Sequence, residues 1–289
     1  MNFFGCCVLM VAGAGVASNA VAAEQRADAE TTALAPGARP RATDREAQAE
    51  KPSVEPVAAH EAQRLSFVEN AYGSSRGVVF AGVSSLAISS SEERAQLGVL
   101  FGGSPLPRLT LHGLVGRDGK GHFAPWLAAQ YTFVGGGHEH HALGALLQYK
   151  TEGFTEAGGE LELGALFSLR PGRLRLDVAA LFGIGLEEEE AAMRAAGEEE
   201  GEADAEGKLR LGYQVLASVQ VGIVGRFRQR VIGERSLAGG KSWDFIGGGE
   251  VVASLGPCAI AASGGPTTLG VADGVGAYGM LSVALFSAL

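Results

Sequence analysis

Over residues 160–186, apolar side chains recur at every second position. Leu161, Leu163, Ala165, Phe167 and Leu169 alternate with Glu160, Glu162, Gly164, Leu166, Ser168 and Arg170. Beyond Pro171-Gly172, Leu174, Leu176, Val178, Ala180, Phe182, Ile184 and Leu186 alternate with Arg173, Arg175, Asp177, Ala179, Leu181, Gly183 and Gly185. A period of two sustained on both sides of a turn signal predicts a long β-hairpin, because successive side chains on a strand point to opposite faces. The same reading gives strands at 123–134, 142–151, 208–221 and 275–289. Weaker alternation marks 77–88, 94–102, 108–117, 223–233, 242–255 and 258–264. The predicted fold class is all-β: an antiparallel transmembrane β-barrel of about 12 strands (10–12) over residues 76–289.

Alternation alone does not say which face meets lipid, since a soluble barrel buries its apolar face inside. The less apolar face carries Gly164, Ser168, Gly183, Gly212, Gln214, Ser218 and Gln220, a composition suited to a lumen. Strands of about 11–14 residues are long enough to cross a bilayer at a tilt. With twelve strands and both termini periplasmic, the turns at Pro105/Pro107, 135–139, Pro171-Gly172 and Gly256-Pro257 fall on the periplasmic side. The acidic insertion 187–207 then falls outside, the asymmetry expected of such barrels. Phe123 near one end of its strand, with Tyr131 and Phe133 near the other, suits interfacial girdles.

On these features the chain resembles bacterial outer-membrane β-barrel proteins as a broad class. Leu281, Val283 and Leu285 follow the alternating C-terminal strand of that class, whereas Ser287 interrupts it and the final residue is Leu289, not an aromatic. The resemblance implies an outer membrane of a Gram-negative bacterium, contact with lipids and lipopolysaccharide, and handling by periplasmic chaperones and the barrel assembly machinery.

The N-terminal quarter reads differently. Residues 3–23 carry no charge and end in Ala20-Val21-Ala22-Ala23 before Glu24, as in a signal peptide over 1–23 cleaved for export, although no Lys or Arg precedes the apolar stretch. Residues 24–75 begin rich in Ala, Glu, Arg and Pro and predict a flexible acidic linker. After cleavage Cys258 is the one remaining thiol, so no intramolecular disulfide is expected.

Composition narrows the function classes. The 44 glycines and 19% charged residues favour strands and turns, and a net charge of −9 offers no footprint for nucleic acid. No cofactor motif is present: Gly239-Gly240-Lys241-Ser242 lacks the glycine a phosphate loop needs at the position of Arg235.

The candidate ligand and lumen residues are Glu160, Glu162, Arg170, Arg173, Arg175, Asp177, Arg226, Arg228 and Arg230. They suit either a positive constriction selecting anions or a structural charge network that also includes Lys150. His138 and His140 share a strand face at metal-binding spacing, and Glu188 and Glu189 belong to an acidic run able to attract divalent cations. The reading is a structural or narrow channel barrel for small polar solutes, non-enzymatic. The alternatives are an outer-leaflet lipid-modifying barrel enzyme using His112 or His122, and a soluble periplasmic β-barrel binding an apolar ligand.

Overall fold

A computed structural model of the chain describes residues 62–72, 77–89, 96–119, 121–135, 139–150, 159–186, 203–232, 243–269 and 274–288. It contains twelve strands: β1 (Val78–Ile88), β2 (Gln96–Leu106), β3 (Leu109–Asp118), β4 (Phe123–Val134), β5 (His141–Lys150), β6 (Glu160–Leu169), β7 (Leu174–Gly185), β8 (Ala203–Leu216), β9 (Val219–Ile232), β10 (Trp243–Leu255), β11 (Cys258–Thr267) and β12 (Gly276–Ala288). Each pairs antiparallel with its sequence neighbours, and β12 returns to pair with β1, closing the barrel. Closure leaves no strand edge with unpaired backbone groups, which is what permits a sheet to stand in lipid.

The alternation sorts the side chains as expected. Leu127, Leu147, Leu163, Phe167, Leu211 and Ile223 point outward, with Leu163 63% exposed, while Gln130, Gln148, Glu162, Ser168 and Arg210 point inward and are buried. An outward apolar surface this continuous is a lipid-facing belt, and the fold is an antiparallel transmembrane β-barrel.

One end of the barrel, here the near end, holds the start of β1 and the end of β12. Four of its connections are tight turns: Pro107-Arg108, 170–173, Ala217-Ser218 and Gly256-Pro257. Gly172 and Gly256 adopt left-handed backbone (φ 60° and 62°), and Arg108 does so at φ 68°, with its guanidinium donating to the Phe133 carbonyl at 2.9 Å. The connections at the opposite, far end include the longest, between β7 and β8. Glycine is required at the closing seam, where Gly82 pairs with Ala284 and a Cβ would run into the Val283 carbonyl and the Ala284 backbone.

Three expectations are corrected. The stretch 208–221 is two strands, the end of β8 and the start of β9, joined through Ala217-Ser218. That turn contains neither Gly nor Pro, and a register irregularity between Gln214 and Leu216 let outward apolar residues keep odd numbers on both sides of it, hiding the reversal. The insertion 187–207 ends earlier, because β8 begins at Ala203. Asp204 and Glu206, which look like the tail of an acidic loop, are inward strand positions. The linker expected over 24–75 also ends earlier, since residues 62–72 pack inside the barrel with Ala62, Leu65, Ala71 and Tyr72 buried. The proposed signal peptide lies outside the described residues.

Residues 62–72 cross the lumen from wall to wall. A 3₁₀ turn, Ala62–Leu65, starts the segment, and Ala62 and Leu65 sit with Phe80, Val252, Ala259 and Phe286 of β1 and β10–β12. Phe67 packs against the cluster of Leu86, Ile246, Tyr278 and Met280. Ala71 and Tyr72 reach Ala142, Leu146, Leu166 and Ala179 of β5–β7.

Candidate functional site in the lumen

The crossing segment is tied by its backbone as much as by its side chains. Gln130 of β4 donates to the Asn70 carbonyl at 2.7 Å, Thr132 donates to the Ala71 carbonyl at 2.8 Å, and the Ala71 amide donates to Ser168 Oγ of β6 at 2.7 Å. The Gln63 amide donates to Gln220 of β9 at 3.0 Å. Its carbonyl accepts from Arg210 at 3.0 Å, and its side-chain oxygen accepts from Arg170 at 3.1 Å. An irregular segment in a barrel must satisfy its amides and carbonyls from the wall, and these inward polar residues do so. Arg170 also lies 3.5 Å from the centroid of the Tyr72 ring, a cation–π contact at the near end. Burial raises the Tyr72 phenol above its usual range although the Arg170 charge opposes this, so the hydroxyl is neutral at ordinary pH.

Beyond the segment, toward the far end, β5–β10 carry a network of buried ion pairs. Glu206 accepts from Arg226 Nε at 2.6 Å and lies 3.1 Å from Lys208 and 3.5 Å from Lys150. Lys150 pairs with Glu162 at 2.6 Å, and Gln148 also donates to Glu162. Arg228 bridges Asp244 at 2.9 Å and Asp204 at 3.3 Å, with Glu160 at 3.7 Å. Closer to the near end, beside the crossing segment, Arg210 grips Asp177 at 2.6 Å, and Asp177 also accepts from Ser168 at 2.5 Å. The crossing segment joins the network through Glu69, 2.7 Å from Lys208. Charges so deeply buried persist only when paired and hydrogen-bonded.

The structure therefore brings together Glu160, Glu162, Arg226 and Arg228 among the sequence candidates, pairs Asp177 with Arg210 beside the crossing segment, and sets Arg170 against that segment. It leaves Arg173 and Arg175 out of that cluster, whereas Arg230 stands directly across from Asp204 of the network. Arg173 is exposed on the near-end turn, Arg175 donates to the Gly172 and Leu174 carbonyls and to Gln214, and Arg230 is half-buried toward the far end of β9. Of the metal candidates, His140 sits exposed at the near end with Nδ1 3.2 Å from the Arg170 carbonyl, while His138, Glu188 and Glu189 lie outside the described residues. His112 and His122 do not come together: the His112 ring meets Trp126 at a tilt (centroids 5.0 Å apart, planes at 54°), and His122 pairs with Asp118 at 3.2 Å at the far end.

Among the described residues, Glu160, Glu162 and Asp204 place carboxylate oxygens within 4.8 Å of one another, close enough to share a cation. Lys150 and Arg228 already compensate that charge.

No protein-family model matches the chain, and no curated protein does. Among solved structures it is similar to the NanC porin, with a TM-score of 0.56 over 71% of this chain and 98% of that one at 7% identity. The translocator domain of autotransporter NalP from Neisseria meningitidis aligns over 79% of this chain and 96% of that one at 13% identity, with a TM-score of 0.47. The first of these establishes that the chain has the fold of an outer-membrane porin. At such identities the likeness extends to the fold alone.

Sequence reading missed Gln63, Glu69, Lys208, Arg210, Asp244 and Glu250, whose carboxylate lies 3.8 Å from Arg210. The last four had a usable signal, the inward parity of their strands; Gln63 and Glu69 had none, since nothing local distinguishes them from a solvated linker.

Proposed function

We propose that this protein is an outer-membrane barrel acting as a narrow channel for small polar solutes, partly obstructed by its own residues 62–72, and with no chemistry of its own. The observation that carries the reading is a wall apolar toward lipid and charged toward the lumen, enclosing a cavity of about 110 Å³ between the crossing segment and the far end. Opposite charges interleave across β5–β10, so the lumen holds fixed charge of both signs in place of a single-sign ring.

In this reading a signal peptide over 1–23 exports the chain, periplasmic chaperones and the barrel assembly machinery insert it, and the near end faces the periplasm. The belt contacts lipid and lipopolysaccharide, and the acidic stretch between β7 and β8 meets divalent cations outside. Planar bilayers containing the purified full chain provide the test: small, discrete conductance steps are expected. A silent barrel, both as wild type and after the segment's wall contacts are weakened, overturns the channel reading and leaves a structural role.

A further inference from the structure

We propose that the far-side cavity binds a small carboxylate with a ring-sized apolar body, in competition with the chain's own Glu69. The cavity has two chemically distinct walls. Leu86, Leu100, Leu114, Trp126 and Met280 form the apolar one, and Lys150, Lys208 and Arg226, set around Glu206, form the charged one, in which cations outnumber the acid. Its volume of about 110 Å³ is below that of the ~150 Å³ cavity known to take up benzene, so a single ring with a short polar group needs the further space that the Glu69 side chain vacates when it leaves the lining.

The crossing segment shows what these walls accept. Phe67 and Glu69 both line the cavity, two residues apart. The Phe67 ring meets Tyr278 edge-on, 6.2 Å between centroids, within the apolar cluster, while the Glu69 carboxylate rests 2.7 Å from Lys208 Nζ. A phenyl ring and a carboxylate, held by one stretch of chain, thus divide themselves between the two walls. A free arylcarboxylate carries the same pair of groups. Lys208 has two acidic partners, Glu69 at 2.7 Å and Glu206 at 3.1 Å, and displacing Glu69 with another carboxylate keeps that number at two, so the buried ammonium loses no counter-charge. A neutral or cationic analogue has no such exchange available.

Glu69 is also the one acidic residue in 62–72, so its release loosens the segment from β8. Binding and loosening are then linked reciprocally. The inference deepens the channel reading by naming a solute class for the same lumen. It is tested by binding in micelles, where no conductance is needed, so failure here and failure of conductance are separate results.

The experiment is a calorimetric titration of the full chain, folded in detergent, with benzoate, benzyl alcohol and benzylamine. Saturable binding of benzoate alone is expected, tightened by Glu69→Gln, weakened about tenfold or more by Lys208→Gln and restored by Lys208→Arg. Heat-modifiable gel migration confirms that each variant is closed. Benzoate should also change the emission of Trp126, and Trp126→Phe should abolish that change while Trp243, outward on β10, still reports; this readout uses the wild-type barrel and holds if Lys208→Gln fails to fold. Binding of benzyl alcohol as tight as benzoate, indifference to Lys208→Gln or to Glu69→Gln, or no saturable binding would overturn the proposal.

Discussion

Glu206 and Arg226 pair on the diagonal. The register places Arg228 directly across from Glu206 and Lys208 across from Arg226, yet it is Arg226 Nε that donates to the Glu206 carboxylate, at 2.6 Å. Diagonal neighbours on a sheet face lie within reach of long side chains, and the choice frees Arg228 to pair with Asp244 directly opposite on β10. The pairs therefore stitch β8, β9 and β10 together.

Breaking that stitch should cost more than a surface ion pair does. Glu206→Gln leaves Lys150, Lys208 and Arg226 without their shared carboxylate, and a loss of about 3–5 kcal/mol is expected. Arg226→Met leaves Glu206 with two lysines and should cost less. Urea midpoints for unfolding from detergent, read by gel mobility, check the order.

Charge placed on the other face tests the lipid belt. Leu211→Arg, outward near the middle of β8, should destabilise the barrel in bilayers by about 2–4 kcal/mol, whereas Ala217→Arg at the near-end turn should change it by about 1 kcal/mol or less. Equal effects would remove the argument that this face meets lipid.

Weakening the segment's wall contacts should open the lumen. Thr132→Val with Gln130→Met removes the donors to the Ala71 and Asn70 carbonyls, each worth about 1–3 kcal/mol when the buried acceptor is left unpaired. More frequent or larger conductance steps than wild type are expected, with the closed-barrel gel shift retained.

The seam depends on backbone approach. Gly82→Val forces a side chain against the Val283 carbonyl and Ala284, so β1 and β12 separate locally. Loss of heat-modifiable migration is expected, and a variant that migrates like wild type would show that the seam can shift to accept a side chain.

The sequence by itself determined the strands and the two faces, because a period of two is a local property that needs no partner to be seen. It located most turns through Pro and Gly, and missed Ala217-Ser218 because nothing in those two residues announces a reversal. Only the tertiary structure decided which charges meet. Lys150 and Glu206 lie 56 residues apart, and Asp204 and Glu206 read as a solvated acidic run until β9 supplies their arginines. The same holds for residues 62–72. Their composition promises too little apolar burial to fold alone, and they are ordered because the closed barrel supplies both the apolar walls and the hydrogen-bond partners that their own sequence lacks.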